Sequence, residues 1–296
     1  MTRIVCLGDV MVDVTATLPG PLNIGSDTPA PIAWHGGGSA ANTACWLATV
    51  GAPATLLGRI GDDVAGQWSL DALADAGVQV AISVDADLPT GTCLVLVDPS
   101  GERTMIPHTG ANGAIAATDI DASDAFTAGG HLHVSGYALF GTSRRAAEHA
   151  LLRAREHGMT VSVGAASAAP LRAAGADAFL QWIGTDALLF ANADEAAVLC
   201  GTSTPQQAAL ELAASVGEVV VTVGASGAWY SDGQDTHSVA SAPVAVLDST
   251  GAGDAFAAGF LAARHSGAAI TAALAAGNAL AARACQLEGA RPPRQV

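Results

Sequence analysis

Six short apolar runs alternate with longer alanine-rich helical patterns along this chain, and that alternation limits its fold more than any other feature. The runs lie near residues 3–8, 54–57, 132–135, 160–163, 187–190 and 219–223. The helical patterns lie near 39–50, 64–76, 143–157, 194–200, 205–215, 253–265 and 268–284. A repeat of this kind builds a mostly parallel sheet with helices on both faces. The expected class is therefore α/β, a three-layer αβα sandwich. Two segments break the rhythm. Residues 12–34 carry turn-rich sequence without a helix, and 90–108 read as a hairpin turning at Asp98-Pro99-Ser100-Gly101. Both are expected to leave the main sheet as a small β lid, which would close over a ligand, pair with another copy, or do both. The 296 residues, half of them hydrophobic, are read as one domain spanning 1–296.

Composition removes several classes of function. The uninterrupted apolar stretches are of strand length, so no membrane span is expected, and the first residues do not resemble a signal peptide. Five cysteines stand singly without metal-ligand spacing, which fits a reducing, cytoplasmic setting. Twelve basic residues against 27 acidic ones argue against nucleic acid as a partner. Every one of the twelve is arginine. Without a lysine there is no P-loop, so a bound nucleotide would need backbone N–H groups, arginine and a divalent ion around its phosphates.

Chemistry concentrates at Asp248-Ser249-Thr250-Gly251-Ala252-Gly253-Asp254-Ala255-Phe256. A strand-like run, 244–247, enters a small-residue turn, and the turn enters a helix. The turn aims backbone N–H groups at one spot with a positive helix end behind them. Asp254, in the first helical turn, can face whatever they hold. An anion site beside a base is what phosphoryl transfer to an alcohol requires.

Other constellations carry weaker signals. Gly36-Gly37-Gly38-Ser39-Ala40-Ala41-Asn42 opens a helix, either as a ligand-hugging turn or as a plain turn with Ser39 as its cap. Asp9 and Asp13 follow the first strand, where open α/β sheets bind ligands; Asp13 suits vicinal hydroxyls, and Asp9 suits a solvated turn. Asn192 and Glu195 fit ordinary helix-start chemistry or the ordering of water around Mg²⁺. The strand 219–223 ends in Gly224-Ala225-Ser226-Gly227, which forms a hairpin or lets backbone run beside a nucleotide near Thr222. His131 and His133 share a strand face, but nothing at metal spacing joins them.

Taken in order, these segments resemble the ribokinase-like, or PfkB, family of carbohydrate kinases across essentially the whole chain. The resemblance rests on 248–256 with Gly259-Phe260, on Gly37–Asn42 followed by Gly58-Arg59-Ile60-Gly61-Asp62-Asp63, and on 192–195 and 222–227. It implies ATP and Mg²⁺, a hydroxymethyl acceptor, and a lid built from the two excursions, through which many members dimerise. It implies Asp254 as catalytic base and the backbone of Gly251, Ala252 and Gly253 as anion hole. Asn192 and Glu195 would lie at metal and phosphates, Glu195 through water. Thr222, Gly224, Gly227 and Asn278 would line the nucleotide. Asp13, Gly38 and Asn42 match substrate positions. In members that use potassium, Asp248 and the Thr250 carbonyl help hold it, with carbonyls near Cys285 and Gly289.

The chain also departs from its resemblance. Met11 stands where ribokinases carry asparagine, Ser39 where lysine is common, and His133-Val134-Ser135-Gly136-Tyr137 lacks a frequent glutamate. Gly110-Ala111-Asn112 resembles a ribokinase tripeptide and leans toward a sugar. Met11 and Tyr137 together would make a flatter, more apolar pocket, which keeps a nucleoside open as substrate. Scarce basic residues disfavour an already phosphorylated sugar. A catalytically silent sugar-binding protein is the remote alternative, disfavoured by the intact Asp254.

Overall fold

The computed structural model describes residues 3–202 and 204–293. In chain order its strands are β1 (Ile4–Leu7), β2 (Met11–Thr17), β3 (Ile32–Gly37), β4 (Ala54–Gly61), β5 (Gln79–Asp85), β6 (Gly91–Val97), β7 (Arg103–His108), β8 (His131–Val134), β9 (Thr160–Gly164), β10 (Ala187–Asn192), β11 (Gly217–Thr222), β12 (Ala228–Ser231) and β13 (Thr236–Val239). The helices are α1 (Ser39–Thr49), α2 (Val64–Asp75), α3 (Ala117–Asp121), α4 (Arg144–Glu156), α5 (Ala168–Ala174), α6 (Ala176–Ile183), α7 (Ala193–Cys200), α8 (Pro205–Val216), α9 (Ala252–His265) and α10 (Ile270–Ala284).

Nine strands form the main sheet in the order β13-β12-β11-β10-β9-β8-β1-β4-β5. From β11 to β5 every pairing is parallel; β12 and β13 continue the sheet antiparallel. Helices on each face bury a separate apolar layer. One gathers Leu132, Val163, Phe179, Leu189 and Leu212, the other Ile4, Trp46, Phe190, Phe256 and Phe260. The expected αβα sandwich is what the chain forms. At 224–227 a short 3₁₀ turn joins β11 to antiparallel β12, the hairpin that one reading of the sequence offered.

Residues 244–247, read as a strand leading into the 248–251 loop, form no strand, because they pair with no neighbouring strand of the sheet. Other features were not anticipated. β5 is an edge strand whose Val80 and Val84 stay exposed, so its apolar alternation is diluted by solvent-facing positions. Helices α5 and α6 meet at Gly175, which closes one and opens the other and breaks any long helical period. His131 and His133 are buried with Ser162 Oγ between them, at 2.7 and 2.8 Å.

A second sheet stands apart in the order β3-β2-β6-β7, built from the two excursions. Its strands run 11–17, 32–37, 91–97 and 103–108, wider than the sequence bounds at residue 11 and at 35–37. Strand pairing aligns Trp34, Val14, Leu94 and Ile106 in one row across it, while Asp13 lies in the adjacent row with His35, Cys93 and Pro107. Successive rows face opposite sides of a sheet.

Helices α9 and α10 approach closely enough to require glycine. A Cβ on Gly259 would sit 2.6 Å from the Ala276 carbonyl oxygen, and one on Gly277 would sit 2.9 Å from the Phe256 ring. Backbone cannot yield as a side chain can. Gly259→Ala is expected to lower Tm by roughly 3–8 °C through overpacking; an unchanged thermal melt would show that these helices separate freely.

Candidate active site

Helix α9 begins where the 248–251 loop turns sharply. Gly251 is its N-cap in the left-handed region at φ 74°, and a Cβ there would lie 2.5 Å from the Ala290 carbonyl. Only glycine meets both demands. The first-turn N–H groups of a helix lack intrahelical acceptors. Of the three proposed anion-hole residues, Ala252 already donates its N–H to Ser249 O at 3.2 Å. Gly253 is exposed, with open space where a side chain would project.

Asp254 lies in that first turn and is gripped from α1. Ser39 Oγ donates to its Oδ1 at 2.7 Å, and Asn42 Nδ2 donates to its Oδ2 at 2.9 Å. Ser39 therefore does not cap its own helix, as one reading of the sequence had it. The N-cap is Gly38, at φ 92°, where a Cβ would strike the Asp9 carbonyl. The capping carboxylate is Asp9, which accepts from Ser39 N at 2.9 Å and more weakly from Ala40 N at 3.5 Å. Burial pushes the Asp254 carboxyl up to about 7 against the pull of its Asn42 and Ser39 donors.

Asp13 faces the same space from the lid. Its carboxylate lies over the bare Cα of Gly37, and burial raises it to about 6, opposed by Arg291 and His35. Arg291 was not singled out in the sequence. Its Nε donates to Asn42 Oδ1 at 3.1 Å and its Nη2 to Gly37 O at 2.5 Å, so the chain's tail pins both glycine loop and Asn42. Trp46 Nε1 holds the neighbouring Ala290 carbonyl at 2.9 Å. Tyr137 is half-exposed, and its hydroxyl is pushed up to about 12 by burial and by Asp9, Asp254 and Glu195. Met11 opens β2 with its sulfur near Asn112 Nδ2, at 3.5 Å.

Asn112 itself is a brace. Its Oδ1 accepts from Val10 N at 2.9 Å, and its Nδ2 donates to Val10 O at 2.9 Å and Thr109 O at 3.0 Å. Its amide is committed to backbone, so the Gly110-Ala111-Asn112 tripeptide no longer leans toward a sugar by direct contact.

The remaining candidates gather at the carboxyl ends of β10 and β11, where Asn192 and Thr222 are register partners. Asn192 Oδ1 accepts from Glu195 N at 2.9 Å, and Glu195 Oε2 accepts from Asn192 N at 2.8 Å. This reciprocal capping box is the helix-start chemistry foreseen as one reading. Desolvation raises the Glu195 carboxyl. Gly224 and Gly227 have φ of 50° and 95°; a Cβ on Gly227 would collide with Val239 O. Asn278 donates to that same Val239 carbonyl at 2.9 Å, tying α10 to the end of β13.

Asp248 is 5% exposed and fully engaged. Oδ1 accepts from Thr250 N at 2.8 Å, Oδ2 from Gly289 N at 2.9 Å, and Arg103 Nη1 of β7 lies 2.9 Å from Oδ1. Arg103 is a second residue that sequence reasoning passed over.

A glycine loop that opens a helix and presents a buried carboxylate in its first turn, beside a mostly parallel sheet with a second small β sheet, is the arrangement of the ribokinase-like fold. The sequence matches the pfkB family carbohydrate kinase model over residues 1–295, and the chain belongs to that family. It is thus an ATP-dependent phosphotransferase acting on an alcohol group. It is 31% identical over 301 residues to the ATP-dependent ribose-1-phosphate kinase of Halopiger xanaduensis, covering 98% of this chain and 94% of that one. It is 29% identical over 238 residues to a bifunctional ribokinase/ribose-5-phosphate isomerase A of Fructilactobacillus sanfranciscensis, covering 75% of this chain and 41% of that longer protein. An E. coli protein solved in complex with ATP and Mg²⁺ superimposes with a TM-score of 0.83, at 25% identity over 98% of this chain and 94% of that one.

The Asp254 environment yields a linkage with a definite sign. Its folded value, about 7, exceeds the unfolded 3.8. The contribution is favourable below pH 4 and is lost as pH rises through 7, at a cost of order 2–4 kcal/mol for the buried anion. Asp254→Asn should therefore raise Tm more at pH 8 than at pH 5. A gain of equal size at both pH values would contradict the buried-anion account.

Proposed function

We propose that this kinase transfers the γ-phosphoryl group of ATP to a hydroxymethyl oxygen of a sugar, with Asp254 as general base. The observation that carries the reading is the Asp254 carboxyl, held by Ser39 and Asn42 in the first turn of α9 and poised near neutral pH. A base matched to operating pH works best in proton transfer. Asp254 takes the substrate hydroxyl proton as that oxygen bonds to the γ-phosphorus, and the bond from phosphorus to the β,γ-bridging oxygen breaks to release ADP. Backbone N–H groups at Gly253 and Asp254, backed by the α9 dipole, stabilise the charge spreading over the phosphoryl oxygens. Gly251 shapes that turn, and Ala252 contributes through the helix end rather than through a free N–H.

Asp13, Gly38 and Asn42 bind the sugar hydroxyls, with Met11 and Tyr137 as flanking contacts. Arg291 sets the orientation of Asn42. Thr222, Gly224 and Gly227 line the nucleotide, and Asn278 supports the adenine side through its grip on Val239. Mg²⁺ suits this site: the capping box uses Oε2 of Glu195, and a nearby cation would offset the desolvation that raises its carboxyl. When bound, the ion screens the phosphate charge and polarises the transferring group. The lid excludes water and so limits hydrolysis of ATP. Its outward row, with Trp34, Leu94 and Ile106 exposed by 45%, 49% and 52%, suits pairing with a second copy in the cytoplasm.

One panel tests the reading: ADP release with MgATP against pentoses, hexoses, sugar acids, ribose 1-phosphate and ribonucleosides. A free sugar should give the highest kcat/KM; a ribonucleoside or a sugar phosphate outrunning every free sugar would overturn the substrate assignment. On the best acceptor, Asp254→Asn should lower kcat by about 10²–10⁴, and a loss under threefold would remove it as base.

Asp13→Ala is expected to cost about 1–3 kcal/mol in kcat/KM by stranding sugar hydroxyls, and Met11→Ala much less; equal losses would favour a flat base in the pocket. Glu195→Gln keeps the capping box and removes the charge. It should raise the Mg²⁺ concentration giving half-maximal rate, and a titration superimposable on the wild type would leave Glu195 a helix cap alone.

A further inference from the structure

The potassium that some members of the resembling family hold does not fit Asp248 as this chain places it. Asp248 is nearly inaccessible, and both of its oxygens are committed: Oδ1 to Thr250 N–H and the Arg103 guanidinium, Oδ2 to Gly289 N–H. A second cation crowded onto the same oxygen would meet the guanidinium's charge at close range in a poorly screened setting. We propose that Arg103 is a built-in cation, a positioning residue that does at Asp248 what a monovalent ion would otherwise do, and that it links lid docking to the shape of the phosphoryl-binding loop. The inference rests on the reading of 251–254 as the phosphoryl site.

The connections run in both directions from Asp248. Toward the site, its carboxylate fixes Thr250 N, one residue before the Gly251 N-cap of α9 and four before Asp254. Toward the tail, it fixes Gly289, and its own backbone N–H reaches Cys285 O at 3.2 Å. Removing the counter-charge leaves a buried carboxylate unpaired, which is far costlier than the pair is beneficial. Arg103 sits at the first position of β7, opposite Val97 on the lid. The ion pair is therefore a lid-to-loop contact, made when the lid lies against the main domain. An ion from solution would complete the loop whether the lid was docked or not; an arginine on the lid completes it only on docking.

The test compares wild type, Arg103→Ala and Arg103→Lys in KCl and in tetramethylammonium chloride at equal ionic strength. Wild type should show the same kcat in both salts. Arg103→Ala should fall roughly 10- to 100-fold in tetramethylammonium, as expected for a displaced catalytic loop, and recover most of the loss as KCl is titrated in. Arg103→Lys should stay near wild type without the ion. A readout independent of turnover is the thermal melt: Tm of Arg103→Ala should rise saturably with K⁺ relative to tetramethylammonium, and that of wild type should not.

A wild-type rate rising fivefold or more with K⁺ overturns the proposal. So does an Arg103→Ala variant that matches wild type in rate and melt, or one that is impaired but indifferent to K⁺ in both. If no acceptor is phosphorylated, the functional reading fails, while the melting comparison still decides the role of Arg103.

Discussion

Two hydrogen bonds to one carboxylate organise this molecule: Ser39 and Asn42 reach Asp254 across 215 and 212 residues of sequence. They join the N-terminal ends of α1 and α9, which belong to opposite ends of the chain. Each helix starts in a glycine turn beside the sheet, so two positive helix ends converge on one acidic group. That convergence explains why so acidic a cluster can exist. Asp9 is neutralised by the α1 backbone, and Asp254 by donors from a neighbouring helix. Because those donors carry no full charge, they leave Asp254 near neutrality rather than holding it ionised far below. A lysine at position 39 would pull it down; the serine hydroxyl pulls less.

The same economy governs the arginines. Arg59 bridges Asp85 and Asp119, fastening β4 to β5 and to α3. Arg291 fastens the tail to the glycine loop, and Arg103 fastens the lid to Asp248. Each of these cations holds parts of the protein together. With no lysine in the chain, these three arginines are spent on ion pairs and hydrogen bonds within the protein.

The sequence showed most of what local physics determines. Strand-length apolar runs revealed the parallel sheet, and Asp248–Phe256 revealed its loop and helix, because both are written in contiguous residues. The two rhythm-breaking excursions marked the lid for the same reason. What stayed hidden depends on partners distant in sequence. Nothing around Arg291 announces Asn42, and nothing around Arg103 announces Asp248. Asn112, in a tripeptide that leaned toward a sugar by resemblance, proved to be a backbone brace, since a motif names residue types without naming what their side chains face. Asn192 and Glu195 illustrate the opposite case: their spacing supports a cap and a water-ordering site alike, and the formed capping box shows that one geometry is present without closing the other.

The lid shows how one physical rule can join two roles. Strand residues alternate faces with a period of two, so Asp13 turns toward the site while Val14, its neighbour, joins the outward row of Trp34, Leu94 and Ile106. Register is pinned from both ends: Asn112 clamps Val10 just before β2 begins, and Arg103 anchors β7 where that strand starts. A slip of one residue would send Asp13 outward and an apolar row inward together. The placement of Asp13 and the outer apolar face are therefore not independent properties of this sheet. A change that loosens one clamp disturbs both, and for that reason the anchoring side chains Asn112 and Arg103 matter to the placement of Asp13 as much as its own strand does.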